Sequence, residues 1–332
     1  MRAAIVGIAG PALSPAERDL FRALPPAGAI LFRRNVETPA QLGALTASLR
    51  DALPPGAVIA VDQEGGRVAR LRPPHWRAHP AAGEIGALFR RDRAAGFRAA
   101  WLTGALIGID CMEAGLTMAC APVLDLLVPG ASDVVGDRAF GSEPDAVARL
   151  GMAMADGLMA AGVMPVGKHA PGHGRATVDS HHALPMVPAE TNLDDGIAVF
   201  RACAALPWMM TAHLLYCGLD SERPGTLSPV VINRVIRERI GFEGVLVSDD
   251  LAMRALDGAP GDLAAAAVGA GCDVAMHCTG ALEDSEAVLR AVPAVSDQGR
   301  ARLEAGRLLV AGRTTALDGP ALAAERDRLL AC

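Results

Sequence analysis

Five apolar runs of this chain end in groups that can move protons or hold charge. VIAVD closes on Asp62, MPVGKH on Lys168 and His169, WMMTAH on His213, GVLVSDD on Asp249 and Asp250, and DVAMH on His277. Such groups are costly to bury without partners, so this many of them at run ends points to one shared polar pocket. Carboxylates, cations and imidazoles together can hold a metal ion or carry acid–base chemistry. A GxSxG nucleophile elbow and a GxxxxGK[ST] phosphate loop are both missing. Acid–base attack at a sugar's anomeric carbon needs a rigid carboxylate on one side and a proton donor on the other. Asp249, closing GVLVSDD, is placed for the first role. Asp179-Ser180-His181 offers the second. In an extended segment Asp179 and His181 share a side, and the carboxylate would orient the imidazole and keep it protonated. The same three residues read equally well as a loop turn closed by an Asx bond.

The elements that must position these groups alternate. Eight β-prone runs recur, at Ala3–Ile8, Gly28–Phe32, Ala57–Asp62, Thr117–Ala121, Met164–His169, Trp208–His213, Gly244–Asp249 and Asp273–His277. Most are continuously apolar, as parallel strands buried on both faces are. Ser14, Pro15 and Glu17 form a capping box that opens one helix, and Thr38-Pro39-Ala40-Gln41 opens another. Residues 88–114, 143–162, 191–205 and 231–240 read as further helices. Eight such units match a TIM-like (β/α)8 barrel, whose chemistry sits where its strands end. A doubly wound sheet is the other arrangement, but GxGxxG after a strand is missing. The chain reads as one domain over residues 1–332, with a tail at 281–332 of helices packed outside the barrel. Two connections, 63–87 and 170–190, are long enough to be functional.

His169, His173, His181 and His182 invite a metal reading. Metal-dependent barrel hydrolases place an HxH pair on the first strand, and Ala3–Ile8 carries no ligand. The glycine-rich histidine segment is also a poor rigid cage. A site without metal or cofactor is therefore expected.

Composition narrows the function further. Hydrophobic residues make up 51% and charged residues 20%, which suits a large globular core. Aromatics at 3% and a net charge of −6 argue against nucleic-acid partners. The seven cysteines are odd in number and lack CxxC spacing, as for free thiols in a reducing compartment. No apolar run approaches the roughly 18–20 residues that span a bilayer. Met1-Arg2 before Ala3–Ile8 faintly resembles a signal peptide, but the capped helix that follows makes the run a first strand. A cytoplasmic monomer is expected.

The motifs are similar to those of glycoside hydrolase family 3, specifically its bacterial single-domain β-N-acetylglucosaminidases. The matching stretches are GAILFRRN (28–35), VDQEGGRVARL (61–71), GDRAFG (136–141), GKHAPGHG (167–174), DSHHALP (179–185), MTAHLLY (210–216) and TLSPVVINRVIRERIGFEGVLVSDDLAM (226–253). The resemblance implies a retaining mechanism through a covalent glycosyl-enzyme. It makes Asp249 the nucleophile and His181, backed by Asp179, the acid/base on a mobile loop. It assigns sugar binding to Asp62, Arg70, Arg138, Lys168 and His169. Asp250 is expected to support its neighbour, and Glu64 to hold its loop. The implied substrate is a small carbohydrate, a muropeptide fragment carrying terminal N-acetylglucosamine on 1,6-anhydro-N-acetylmuramic acid. A phosphorylase on the same scaffold and a non-catalytic sugar sensor are the alternatives. Two positions depart from the pattern: Ala170 replaces the usual aromatic of KHFPGHG, and AMHCTG (275–280) lacks the asparagine common after the cysteine.

Overall fold

A computed structural model describes residues 1–128, 130, 134–174 and 184–331. Eight parallel strands close into a barrel in chain order. They are β1 (Arg2–Gly7), β2 (Pro26–Leu31), β3 (Val58–Val61), β4 (Met118–Ala119), β5 (Met164–Ala170), β6 (Trp208–Thr211), β7 (Val245–Asp250) and β8 (Val274–His277), with β8 pairing back onto β1. Strands β2, β3 and β5 are buried along their whole length, which explains their unbroken apolar sequences. The (β/α)8 expectation is met, and each of the eight runs falls on a barrel strand.

The helices alternate with the strands. α1 (Pro15–Ala23) follows β1, and α2 (Pro39–Ala52) follows β2. After β3 come α3 (Ala82–Arg91) and α4 (Arg93–Glu113), and α5 (Pro144–Ala160) follows β4. α6 (Asp194–Ala202), a π-type helix (Val230–Arg239), α7 (Pro260–Ala270) and α8 (Leu282–Ala291) follow β5 to β8 in turn. The Ser14 capping box forms as expected, with the Ser14 Oγ accepting from the Glu17 amide.

Two helical expectations change. The stretch 88–114 is two helices, because Asp92 caps α4 by accepting from the amides of Ala94 and Ala95. The expected tail of outer helices includes α8, the barrel's own eighth helix, before α9 (Asp297–Arg313) and α10 (Gly319–Leu330). α4 and α5 pack backbone to backbone: a Cβ on Gly104 would lie 2.0 Å from the Met154 carbonyl oxygen.

α10 docks through an outer ion pair and a buried polar chain beneath it. Arg98 and Glu325 form a two-pronged ion pair at 2.8 and 2.7 Å. Beside it Arg326, only 5% exposed, donates to His79 Nδ1 at 3.1 Å, and His79 Nε2 meets Asp110 at 2.9 Å. Burial lowers the His79 pKa despite Asp110, which fits a neutral ring that accepts at Nδ1 and donates at Nε2. Arg326→Ala leaves that Nδ1 buried and unsatisfied. It is expected to cost about 1–3 kcal/mol, read as a lower urea midpoint, and an unchanged midpoint would contradict this role for α10.

Candidate active site

The C-terminal ends of the strands enclose a cleft of about 760 Å³, counted to its open mouth. Its polar wall holds Asp62, Glu64, Arg70, Arg138, Lys168, His169, His173, Asp249 and Asp250. Phe32, Met210, Met253 and Met276 contribute apolar surface suited to a sugar's C–H face. The Arg34 and Arg70 guanidinium carbons lie 5.1 and 5.3 Å from the Phe32 ring centroid.

The segment after β3 delivers three of the charged groups. Gln63, fully buried, spends its side chain on the backbone of the hairpin that it opens. Its Oε1 accepts from the amides of Arg70 and Leu71, and its Nε2 donates to the Leu71 carbonyl. This fixes the short antiparallel pair Gln63–Gly65 and Val68–Ala69. Flanking Gln63 at a spacing of two, Asp62 and Glu64 point the other way, into the cleft. The turn needs glycine at 65, where φ is +98° and a Cβ would sit 2.3 Å from the Pro80 carbonyl oxygen.

Strands β5 and β7 each carry an irregularity where their site residues stand. Between the pairs Lys168–Met210 and Ala170–Thr211, β5 has one residue more than β6. The same happens on β7 between the pairs Val247–Val274 and Asp250–Met276. Such bulges re-aim side chains, and consecutive residues at both places line the cleft: Lys168 with His169, and Asp249 with Asp250. The Lys168–His169 peptide is cis. Ser248 Oγ bridges the β7 irregularity by accepting from the Met276 amide at 2.8 Å.

Charges alternate along the cleft wall. Arg70 pairs with Asp62 at 2.9 Å, and Asp62 with Lys168 at 3.1 Å. Lys168 pairs with Glu64 at 2.6 Å, and Arg138 grips both oxygens of Glu64 at 2.8 Å. Burial drives the Asp62 carboxyl up, but Lys168 and then Arg70 outweigh it and hold it well below the usual carboxylate range. Glu64 is lowered in the same way against its burial by Lys168 and Arg138. Burial would discharge Lys168, and the two carboxylates reverse that effect, raising its pKa. With three cations and two carboxylates, this wall offers a guest fixed donors and a small positive excess.

Asp249 stands opposite a group of imidazoles. Burial favours its neutral form, and His169, His213, the Asp250 amide and Lys168 together overcome it, so the carboxyl is lowered and stays ionised. The Asp250 amide donates to Asp249 Oδ1 at 2.8 Å. His169 is fixed from behind by Asp125, which is fully buried and receives the Nδ1 proton at 2.6 Å. Asp125 also accepts from the His173 amide at 2.6 Å. The His173 ring lies edge-on to His169, and burial followed by that neighbour brings its pKa down to about 4.

The structure thus brings Asp62, Arg70, Arg138, Lys168, His169 and Asp249 to one cleft. Asp179 and His181 fall outside the described residues. Two strand-end groups do not join the cleft lining. His213 is fully buried with both ring nitrogens committed to protein partners, and His277 turns its Nδ1 towards Thr279. Asp125 was not anticipated; its only sequence signal is a lone acid within the apolar run APVLDLLV. Cys278, which precedes the departing position Thr279, lines the cleft, and its amide donates to Asp250 at 3.0 Å. Among the described residues no cluster of three or more His, Cys, Asp or Glu could hold a metal ion.

Known proteins with similar sequences and folds identify the family. Residues 13–307 match the glycosyl hydrolase family 3 N-terminal domain. A β-hexosaminidase of Alkalilimnicola ehrlichii is 42% identical over 92% of this chain and 89% of its own. One of Chromobacterium violaceum is 38% identical over 97% and 90%. Among solved structures, NagZ from Neisseria gonorrhoeae in complex with N-trifluoroacetyl-D-glucosamine superposes with a TM-score of 0.86 at 30% identity, covering 99% of this chain and 97% of that one. The chain belongs to glycosyl hydrolase family 3, in the branch of its β-hexosaminidases, and is a glycoside hydrolase.

Proposed function

We propose that the enzyme removes terminal β-linked N-acetylglucosamine with retention of configuration, and that its natural substrate is a cytoplasmic muropeptide fragment, N-acetylglucosaminyl-1,6-anhydro-N-acetylmuramic acid with or without peptide. One observation carries the reading: Asp249 stands next to the end of β7 at the cleft and is kept ionised against desolvation by His169, His213, the Asp250 amide and Lys168. A half-buried, ionised carboxylate oriented at the end of a barrel strand is suited to act as the nucleophile. Its oxygen bonds to the anomeric carbon as the glycosidic C–O bond breaks, and the leaving oxygen takes a proton from the His181 imidazole, which Asp179 supports. The same imidazole then takes a proton from water as that water attacks the anomeric carbon. The ester C–O bond breaks and Asp249 is released. Asp62, Arg70, Arg138, Lys168 and His169 hold the sugar hydroxyls through the alternating wall. The related NagZ complex with an N-acylated glucosamine supports the sugar assignment. The six free cysteines among the described residues, five of them buried, fit a reducing compartment.

A chromogenic β-N-acetylglucosaminide is expected to be turned over at a rate that survives chelator and does not rise with phosphate. Acceleration by phosphate with release of a sugar 1-phosphate would make the enzyme a phosphorylase instead. Tight binding of authentic muropeptide without turnover would leave only a sensor.

A further inference from the structure

Two motifs, MTAHLLY and TLSPVV, place three polar residues behind β7, outside the cleft lining. Thr211 and His213 come from the end of β6, and Thr226 comes from the short 3-10 turn Gly225–Leu227. All three are at most 1% exposed. Thr211 and Thr226 hydroxyls lie 2.7 Å apart, and Thr226 Oγ1 is 2.8 Å from His213 Nδ1. His213 Nε2 donates to the Asp250 carbonyl oxygen at 2.9 Å. The other faces of Asp250 are also held: its carboxylate accepts from the amides of Ala252 and Cys278, and its own amide donates to Asp249 Oδ1.

We propose that His213, with Thr226 and Thr211 behind it, is the positioning residue of the nucleophile strand: it pins the Asp250 carbonyl and thereby the residue whose amide orients the Asp249 carboxylate. The hydroxyl pair gives this relay a second property. With a neutral ring, Thr211 donates to Thr226 and Thr226 donates to Nδ1. With a protonated ring, Nδ1 donates to Thr226 Oγ1, whose proton turns to the Ala212 carbonyl at 3.2 Å. Either state leaves every member bonded, so the imidazole can carry charge near Asp249 without an unsatisfied neighbour. A charge on that ring would draw the Asp249 carboxyl down. Among the described residues, the other titratable groups facing Asp249 are Lys168 and His169 on β5, His173 beyond it, Cys120 after β4, Asp250 on β7 and Cys278 after β8.

The proposal rests on Asp249 being the nucleophile, and the test keeps the two apart. Thr226→Val keeps the shape and removes the hydroxyl. It is expected to lower kcat for the chromogenic glycoside about tenfold at unchanged KM, the scale of one broken buried hydrogen bond. The acid limb of kcat/KM should move to higher pH, because Asp249 then protonates more readily. Thr226→Ser should restore both. His213→Gln keeps a donor for the Asp250 carbonyl but carries no charge. It is expected to lower kcat about tenfold and to move the acid limb up, and it serves if the valine variant does not fold. Parental kcat and acid limb in Thr226→Val, or a parental acid limb in His213→Gln, overturns the relay. Turnover by Asp249→Ala would instead remove the nucleophile reading, whatever the threonine variants do.

Discussion

Asp249→Ala is expected to lower kcat against a β-N-acetylglucosaminide by about 10⁴-fold, equivalent to roughly 5.4 kcal/mol of lost barrier reduction. The variant should still fold, because the alanine leaves β7 paired with β6 and β8 and frees only the Asp250 amide at the wet cleft. Asp250→Asn is the internal contrast. Asp250 Oδ1 accepts from the amides of Ala252 and Cys278, contacts that an amide oxygen can keep, and its pKa is raised by burial rather than lowered. Its loss of kcat should stay within about tenfold, the scale of one hydrogen bond. Equal losses in the two variants would show that the strand end, rather than one carboxylate, carries the effect.

Lys168→Met is expected to lower kcat/KM by about 10²- to 10³-fold, the usual cost of one preorganised donor. It should also destabilise the fold at neutral pH by about 3–5 kcal/mol, because Asp62 and Glu64 lose the cation between them. Lys168 is 3% exposed at its side chain, Glu64 6% and Asp62 19%, so solvent cannot replace that charge fully. The pH dependence has a definite sign. In the parent both carboxyls titrate below their unfolded values. Their stabilisation is complete above the unfolded carboxylate range and is lost as the pH falls through the depressed folded values. Without Lys168, burial and mutual repulsion raise them, and protonation relieves the strain. The stability difference between parent and variant should therefore be largest near neutrality and shrink as the pH falls below about 4. Urea titrations at both pH values measure it, and a difference independent of pH would contradict the role given to Lys168.

The barrel was legible because its strands are buried on both faces and so spell unbroken apolar runs, such as VIAV before Asp62 and GVLV before Ser248. The site was legible for a related reason: a polar residue ending such a run has to have a use. Less legible were features set by the third dimension. Asp92 stands in the charged run RRDR, where a helix cap looks like one more surface acid. Asp125 and Thr226 bond to groups distant in sequence, His169 and His213, and no local spacing announces either contact. The same rule that found the cleft overreached at His213 and His277, because a strand-end polar group can be satisfied behind the site as well as in it. Arg326 gave no signal either, since a buried arginine in a final helix is known only by its partners His79 and Ala78. The irregularities on β5 and β7 lie beyond alternation rules, which assume an even register.

A covalent glycosyl bond to Asp249 is the step on which the retaining mechanism depends. Incubation with a 2-fluoro-type N-acetylglucosaminide analogue, followed by digestion and mass mapping, tests it most directly. The expected result is a single glycosyl adduct on the peptide containing GVLVSDD, located at Asp249 and absent from Asp249→Ala. An adduct on Asp250, Asp62 or any other carboxylate, or an adduct that persists in Asp249→Ala, would contradict it.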